Sequence, residues 1–349
     1  MDKNDYFLER NIRCSKKINQ ILSQLPFFCE EFFLGIKNKT SYLTRLNYAN
    51  DLKIFFNFLT REIIDFQDKK IKDIMLCDLE NITATHLEIY LNYLSYYELD
   101  GKIYTNNEEG KNRKLSAVRS MLKYFFNKNK IKSNISTKVE NPKIHEKPII
   151  RLEVDEIVKL LDQAENPNKL TKRQISYNKL TKVRDVAILT LLLGTGIRVS
   201  ECVGLNIDDI NFEVNGFKVT RKGGNQMILY FSDEVANALK DYLSDRNANK
   251  NISENEKALF LSLQNKRISV RAVEQMVKKY SSNTIPLKKI TPHKLRSTFG
   301  TNLYRETNDI YIVADVLGHK DVNTTKKHYA AISEDSRKRV ANVITLRDK

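Results

Sequence analysis

A chain of 349 residues, 41% of them apolar, has enough material for two ordinary folded domains. Its 59 Lys and Arg against 43 Asp and Glu leave a formal charge of +16, which suits a polyanionic partner and argues against an acidic, disordered chain. The opening Met1-Asp2-Lys3-Asn4-Asp5 lacks a signal-peptide core, and the longest apolar run, near Val186 to Leu193, is too short to span a bilayer. Cys14, Cys29, Cys77 and Cys202 form no C-x-x-C pair, so neither a zinc site nor a disulfide framework is expected, and the cytoplasm is the expected compartment.

Residues 4–36 read as helical, with Leu22, Leu25, Phe28, Phe32 and Phe33 on an apolar face that Pro26 interrupts. The part up to residue 27 is taken as an N-terminal helical extension. Residues 28–130 then read as a small helical bundle. Leu52, Phe55, Phe56 and Leu59 recur at helix spacing, as do Leu87, Tyr90, Leu91 and Leu94 after a capping box from Thr85 to Glu88. A third helix from Lys111 to Phe126 buries Leu115, Val118, Leu122 and Phe125. Lys111, Arg113, Lys114 and Arg119 lie near or outside its apolar stripe as candidate phosphate contacts, a solvated face being the plainer alternative. Residues 131–150, rich in lysine and holding Pro142 and Pro148, read as a basic linker.

A second domain is expected over residues 151–332, beginning with a helix that carries Val154, Ile157, Leu161 and Ala164. Asn166 to Lys182 reads as a polar loop insertion. Val183 to Leu193 reads as a buried helix that ends at Gly194-Thr195-Gly196, and Arg198 emerges from that turn with Ser200 and Glu201 placed to orient it. Its bland reading is an ion pair with Glu201. Asn215-Gly216 signals a hairpin between Ile210 and Phe212 on one side and Phe217 and Val219 on the other, and Lys222-Gly223-Gly224-Asn225 makes a second turn with Lys222 at its tip. Helices follow from Glu234 to Arg246 and from Ser269 to Tyr280.

Thr291 is placed to cap a helix with Pro292 in its first turn, His293, Arg296 and Gly300 on one face free for a ligand, and Leu295, Phe299 and Leu303 on an apolar stripe. Ile310, Val313, Ala314 and Leu317 mark another helix, stopped by Gly318 in a left-handed cap just before His319. Tyr329 lies about one turn into the helix begun by Asn323, Thr324 and Thr325, and a tail helix over residues 333–349 carries Val340, Val343 and Ile344.

In this order and spacing, TGIRVSE at Thr195 to Glu201, the hairpin Lys222, TPHKLRSTFGT at Thr291 to Thr301, LGHK at Leu317 to Lys320 and TTKKHYA at Thr324 to Ala330 resemble the tyrosine recombinases. Within them the likeness is to the Xer type, in particular the single-recombinase form of some Gram-positive bacteria. The resemblance implies a mainly α fold with a small antiparallel β-sheet, in which a core-binding bundle precedes a catalytic domain. It implies that Tyr329 is the nucleophile, Arg198 and Arg296 grip the phosphate, His293 and His319 serve acid/base and hydrogen-bonding roles, and Lys222 protonates the leaving oxygen. The gap from His319 to Tyr329 is one residue longer than in the commonest members.

The implied reaction cuts and rejoins double-stranded DNA through a 3′-phosphotyrosine, with no metal or other cofactor. The implied partners are a DNA recombination site, three further copies of the chain at synapsis, and a host division or DNA translocase factor. Resolution of chromosome dimers is the favoured role. An integrase or excisionase of a mobile element, and a catalytically silent DNA-binding protein of the same fold, are the rival readings.

Overall fold

The computed structural model describes residues 6–144, 150–167, 172–221, 224–318 and 322. The chain divides into two compact units, Met1–Lys147 and Pro148–Lys349.

The first unit is helical: α1 (Tyr6–Leu22), α2 (Phe28–Gly35), α3 (Tyr42–Glu62), the single turn α4 (Ile64–Gln67), α5 (Ala84–Tyr93) and α6 (Glu108–Asn127). Between the last two stands an antiparallel hairpin, β1 (Tyr96–Leu99) and β2 (Lys102–Thr105). Its core is aromatic, with Phe55, Phe56, Phe58, Tyr90 and Phe125 excluded from water. Burial of rings this size dominates the stability of a bundle. Residues before 28, read as an extension, supply Ile18 and Leu25 to this same core, and α1 packs on α3. Pro26 separates two helices that belong to one bundle.

The linker reading needs a similar correction. Ile131 and Val139 are buried in this core, Ile135 packs against it, and a short 3-10 turn spans Ile135–Lys138. Composition pointed to a tether because lysines outnumber these apolar residues, but their four-residue spacing is what docks the segment. The helix start near Thr85 moves to Thr83, whose hydroxyl accepts from the His86 amide at 3.2 Å while His86 Nδ1 accepts from the Thr83 amide at 3.3 Å.

The second unit holds α7 (Val154–Glu165), α8 (Lys172–Thr195), the short α9 (Val199–Cys202), a sheet of β3 (Ile210–Asn211), β4 (Gly216–Thr220) and β5 (Gln226–Tyr230), then α10 (Asp233–Ala248), α11 (Val270–Thr284), α12 (Pro292–Thr307) and α13 (Ile310–Leu317). The sheet is antiparallel in the order β3-β4-β5. Helix α8 is its axis: Ala187, Ile188, Leu189 and Leu191 are wholly buried, and α7, α10 and α12 pack around it.

Helix α8 also corrects the loop expected before Val183. It starts at Lys172, because the polar residues Asn178, Thr181 and Asp185 find buried partners. Tyr280 Oη on α11 accepts from Asn178 Nδ2 at 2.7 Å and donates to Asp185 Oδ2 at 2.8 Å. Arg184 adds an ion pair to Asp185 at 2.6 Å and Lys279 another at 3.3 Å. Burial, then the Asp185 charge, holds the Tyr280 phenol well above its ordinary range, so it stays a neutral donor. This fully satisfied polar cluster fixes α8 against α11 and so fixes the turn at Gly196.

Candidate active site

The turn after α8 and the segment around α13 meet through arginines. Gly196 adopts φ of 61°, a left-handed conformation that costs glycine little, and it is packed against Phe299. Two residues on, Arg198 caps α9. Its amide donates to Glu201 Oε2 at 2.9 Å, its Nη1 donates to Glu201 Oε1 at 2.8 Å, and its Nη2 reaches the Gly318 carbonyl at 3.3 Å. The bland reading of Arg198, an ion pair with Glu201, is therefore present, yet the side chain is still 32% exposed.

Arg296 comes from α12, whose apolar stripe of Phe299 and Leu303 packs on Val313 and Leu317 of α13. Thr291 stands at the N-cap in extended conformation without a side-chain capping bond, and Pro292 occupies the first turn as its missing N–H allows. His293 beside it is exposed, whereas Arg296, one turn later, is buried at 4%. The face expected to be free for a ligand is occupied at Arg296. Its Nη1 donates to the Gly196 carbonyl at 2.7 Å and its Nη2 to the Leu317 carbonyl.

A third guanidinium was missed by sequence reasoning. Arg221 follows β4, 8% exposed, and donates through Nη2 to the Val316 carbonyl at 2.6 Å and through Nη1 to the Leu317 carbonyl at 3.0 Å. The same Nη1 lies 3.4 Å from Glu201 Oε2. Alternation along β4 could have found it: Phe217 and Val219 face inward, and Arg221 continues that alternation. Burial is the main influence lowering the Arg221 pKa from its ordinary value. Glu201 opposes that shift, and the Arg198 cation adds to it.

Arg198 and Arg221 thus share the buried Glu201 carboxylate, and all three guanidinium groups reach carbonyls at the C-terminal end of α13, where the helix dipole is negative. Gly318 closes that helix in the left-handed region at φ of 63°. A Cβ there would sit 2.9 Å from Arg221 Cζ, so both conformation and space call for glycine. The frame is rigid and electropositive, and Arg198 is its solvent-facing member.

The structure brings together Arg198 and Arg296, with His293 exposed one turn ahead of Arg296. Lys222, His319, Tyr329 and the tail helix lie outside the described residues. Their anchors are within them: Arg221 N donates to the Asn225 carbonyl at 2.7 Å, closing the turn that carries Lys222, and Gly318 immediately precedes His319.

The four cations of α6 each have a partner within the first unit. Lys111 pairs with Glu108 at 2.9 Å, Arg113 with the buried Asp51 at 2.5 Å, and Arg119 donates to Asn141 Oδ1 and the Val139 carbonyl. Lys114, expected near or outside the stripe, is instead 6% exposed and donates to Asn106 Oδ1 at 2.5 Å. Its long apolar stem carries the ammonium inward to an amide that itself donates to the Leu94 carbonyl. Arg113 is the member of this group that remains exposed.

A model of the phage integrase family matches residues 151–335. The tyrosine recombinase XerC of Caldanaerobacter subterraneus subsp. tengcongensis is 34% identical over 313 residues, covering 86% of this chain and 82% of that protein. The tyrosine recombinase XerS of Streptococcus gordonii is 31% identical over 354 residues, covering 94% of this chain and 98% of that protein. Among solved structures, the XerH site-specific recombinase bound to difH substrate in a pre-cleavage complex matches with a TM-score of 0.60 at 19% identity, over 83% of this chain and 76% of that one. A λ integrase dimer bound to a COC′ core site matches with a TM-score of 0.60 at 17% identity, over 86% of this chain and 93% of that one. The likeness to these two structures is one of fold.

Proposed function

Because the chain belongs to the phage integrase family and, with its XerC and XerS relatives, to the tyrosine recombinases, we propose that it exchanges DNA strands at a specific site through a phosphotyrosine at Tyr329. The observation that carries this reading is the meeting of Arg198 and Arg296, from distant segments, on the end of α13 that leads into His319. A phosphodiester under attack gathers charge on its non-bridging oxygens, and preorganised guanidinium groups stabilise that charge without a metal. Arg198 is open to such a phosphate. Arg296 donates to two carbonyls, so its grip requires that a phosphate oxygen replace at least one of them.

In the step itself Tyr329 Oη forms a bond to phosphorus as the bond to the 5′ oxygen breaks. The phenol, with an ordinary pKa near 10, passes its proton to His293, and Lys222 supplies one to the departing 5′ oxygen, which leaves as a hydroxyl. His319 hydrogen-bonds the phosphate. The 3′-phosphotyrosine conserves the ester energy, so a 5′ hydroxyl from a second duplex reverses the reaction without ATP. Two duplexes present four strands to cut, hence four protomers at synapsis. Chromosome-dimer resolution is the role we assign, on the strength of the Xer relatives.

A nicked suicide duplex carrying the recombination site, followed by a denaturing gel, tests the chemistry. The expected product is a covalent protein–DNA adduct that disappears in Tyr329→Phe and falls on the order of a hundredfold or more in Arg198→Ala. Cleavage without an adduct, or an adduct surviving Tyr329→Phe, would refute the mechanism.

A further inference from the structure

In the first unit one buried cation lacks partners of this kind. Arg45 lies in the first turn of α3 and is 7% exposed. Its guanidinium carbon is 4.3 Å from the centre of the Tyr42 ring, and its Nε, sealed from solvent, meets no acceptor. Among the described residues this guanidinium makes no hydrogen bond or ion pair.

The position makes the vacancy harder to explain by folding. The first turn of a helix is its positive end, and α3 carries no acidic residue there to offset the charge. A cation buried at that pole without a counterion lowers stability, and the cation–π contact with Tyr42 compensates for part of this alone.

Arg45 also lines a cavity of about 500 Å³ between α1, α2 and the start of α3. That volume is in the range that holds a small molecule. Ser15 and Asn19 on α1 offer hydrogen bonds, Lys37 adds a second cation, and Ile18 and Phe33 give an apolar wall. Glu30 also lines the cavity, and among the described residues it pairs with neither cation.

We propose that this cavity is a binding site for a small organic oxyanion, a carboxylate or phosphate monoester, whose charged end pairs with Arg45 and whose body lies against Ile18 and Phe33. The ligand supplies the counterion that the fold leaves out. A DNA backbone is too broad to follow into a site where the guanidinium is so fully covered. The site is independent of the strand-exchange chemistry assigned to the second unit.

The test uses the full chain at fixed ionic strength, with phenyl phosphate, benzoate and inorganic phosphate as probes and chloride as reference. Calorimetric titration is expected to show saturable binding of the two aromatic anions, with a saturable rise in thermal midpoint. Binding should weaken about tenfold or more in Arg45→Met, which loses the charge-assisted bonds, and less in Arg45→Lys, which keeps the charge. Glu30→Gln, an exposed change that leaves the fold intact, should tighten binding severalfold and serves should Arg45→Met not fold. No saturable binding by the wild type, or affinities unaltered in both Arg45→Lys and Glu30→Gln, would overturn the proposal. Displacement of the probe by duplex DNA would also overturn it, assigning Arg45 to a backbone phosphate.

Discussion

Arg221 and Arg296 in the second unit and Arg45 in the first are buried to a similar degree, at 8%, 4% and 7%, yet the helix ends that their guanidinium groups adjoin have opposite polarity. The first two meet the carbonyl end of α13, where Val316 and Leu317 accept their N–H groups. Arg45 stands at the amide end of α3 with a tyrosine ring for company. Helix polarity therefore separates a cation that completes the protein from one that awaits a counterion. Near the candidate active site the backbone itself supplies the negative partner, and the frame is preorganised before DNA arrives.

The sharpest way to break this contrast is one substitution made in both places. Arg296→Met takes the guanidinium donor from the Gly196 carbonyl and one of two from the Leu317 carbonyl, and is expected to cost about 3–5 kcal/mol in a urea titration. Arg45→Met in anion-free buffer should leave stability unchanged or raised by up to about 1 kcal/mol, because an uncompensated charge is removed. Equal destabilisation by the two would erase the distinction.

A smaller effect is expected from Gly318→Ala. Forcing a Cβ into the left-handed cap costs about 1–2 kcal/mol and pushes on Arg221, so adduct formation should slow while DNA affinity holds in a filter-binding assay.

An effect of intermediate size, expressed through pH, concerns Asp51, a buried carboxylate that does have a guanidinium. Burial raises its pKa from 3.8 to about 6 despite Arg113 and Lys114. The folded value exceeds the unfolded one, so its contribution to stability is complete below about pH 4 and is lost as pH rises through about 6. The first unit should therefore lose up to about 3 kcal/mol across that window. Asp51→Asn should flatten the profile measured by urea denaturation.

Helical periodicity carried most of the fold in the sequence. The stripes on α3 and α6 fall on buried residues and those on α12 and α13 on residues buried or partly buried against each other, because a 3.6-residue repeat has one way to face a core. The hairpin of β1 and β2 went unread although Asp100-Gly101 takes positive φ at both positions, at 51° and 71°. Asp-Gly is a strong turn signal, but the flanking tyrosines suit helix and strand alike until Tyr93, Tyr97 and Tyr104 stack. At the candidate site, Arg198 and Arg296 stood out by motif. Arg221 did not, because its role depends on carbonyls some 95 residues away that no local pattern encodes.

The arginine frame grips main-chain oxygens of residues 316 to 318 rather than their side chains. Its heredity is thus uncoupled from the chemical identity of Val316, which is only half-buried. Descendants of this chain are free to drift at that position so long as the helix terminates at the same residue. A one-residue shift of that endpoint would displace every acceptor together, and natural variation near the site should accordingly accumulate as replacements and avoid insertions or deletions.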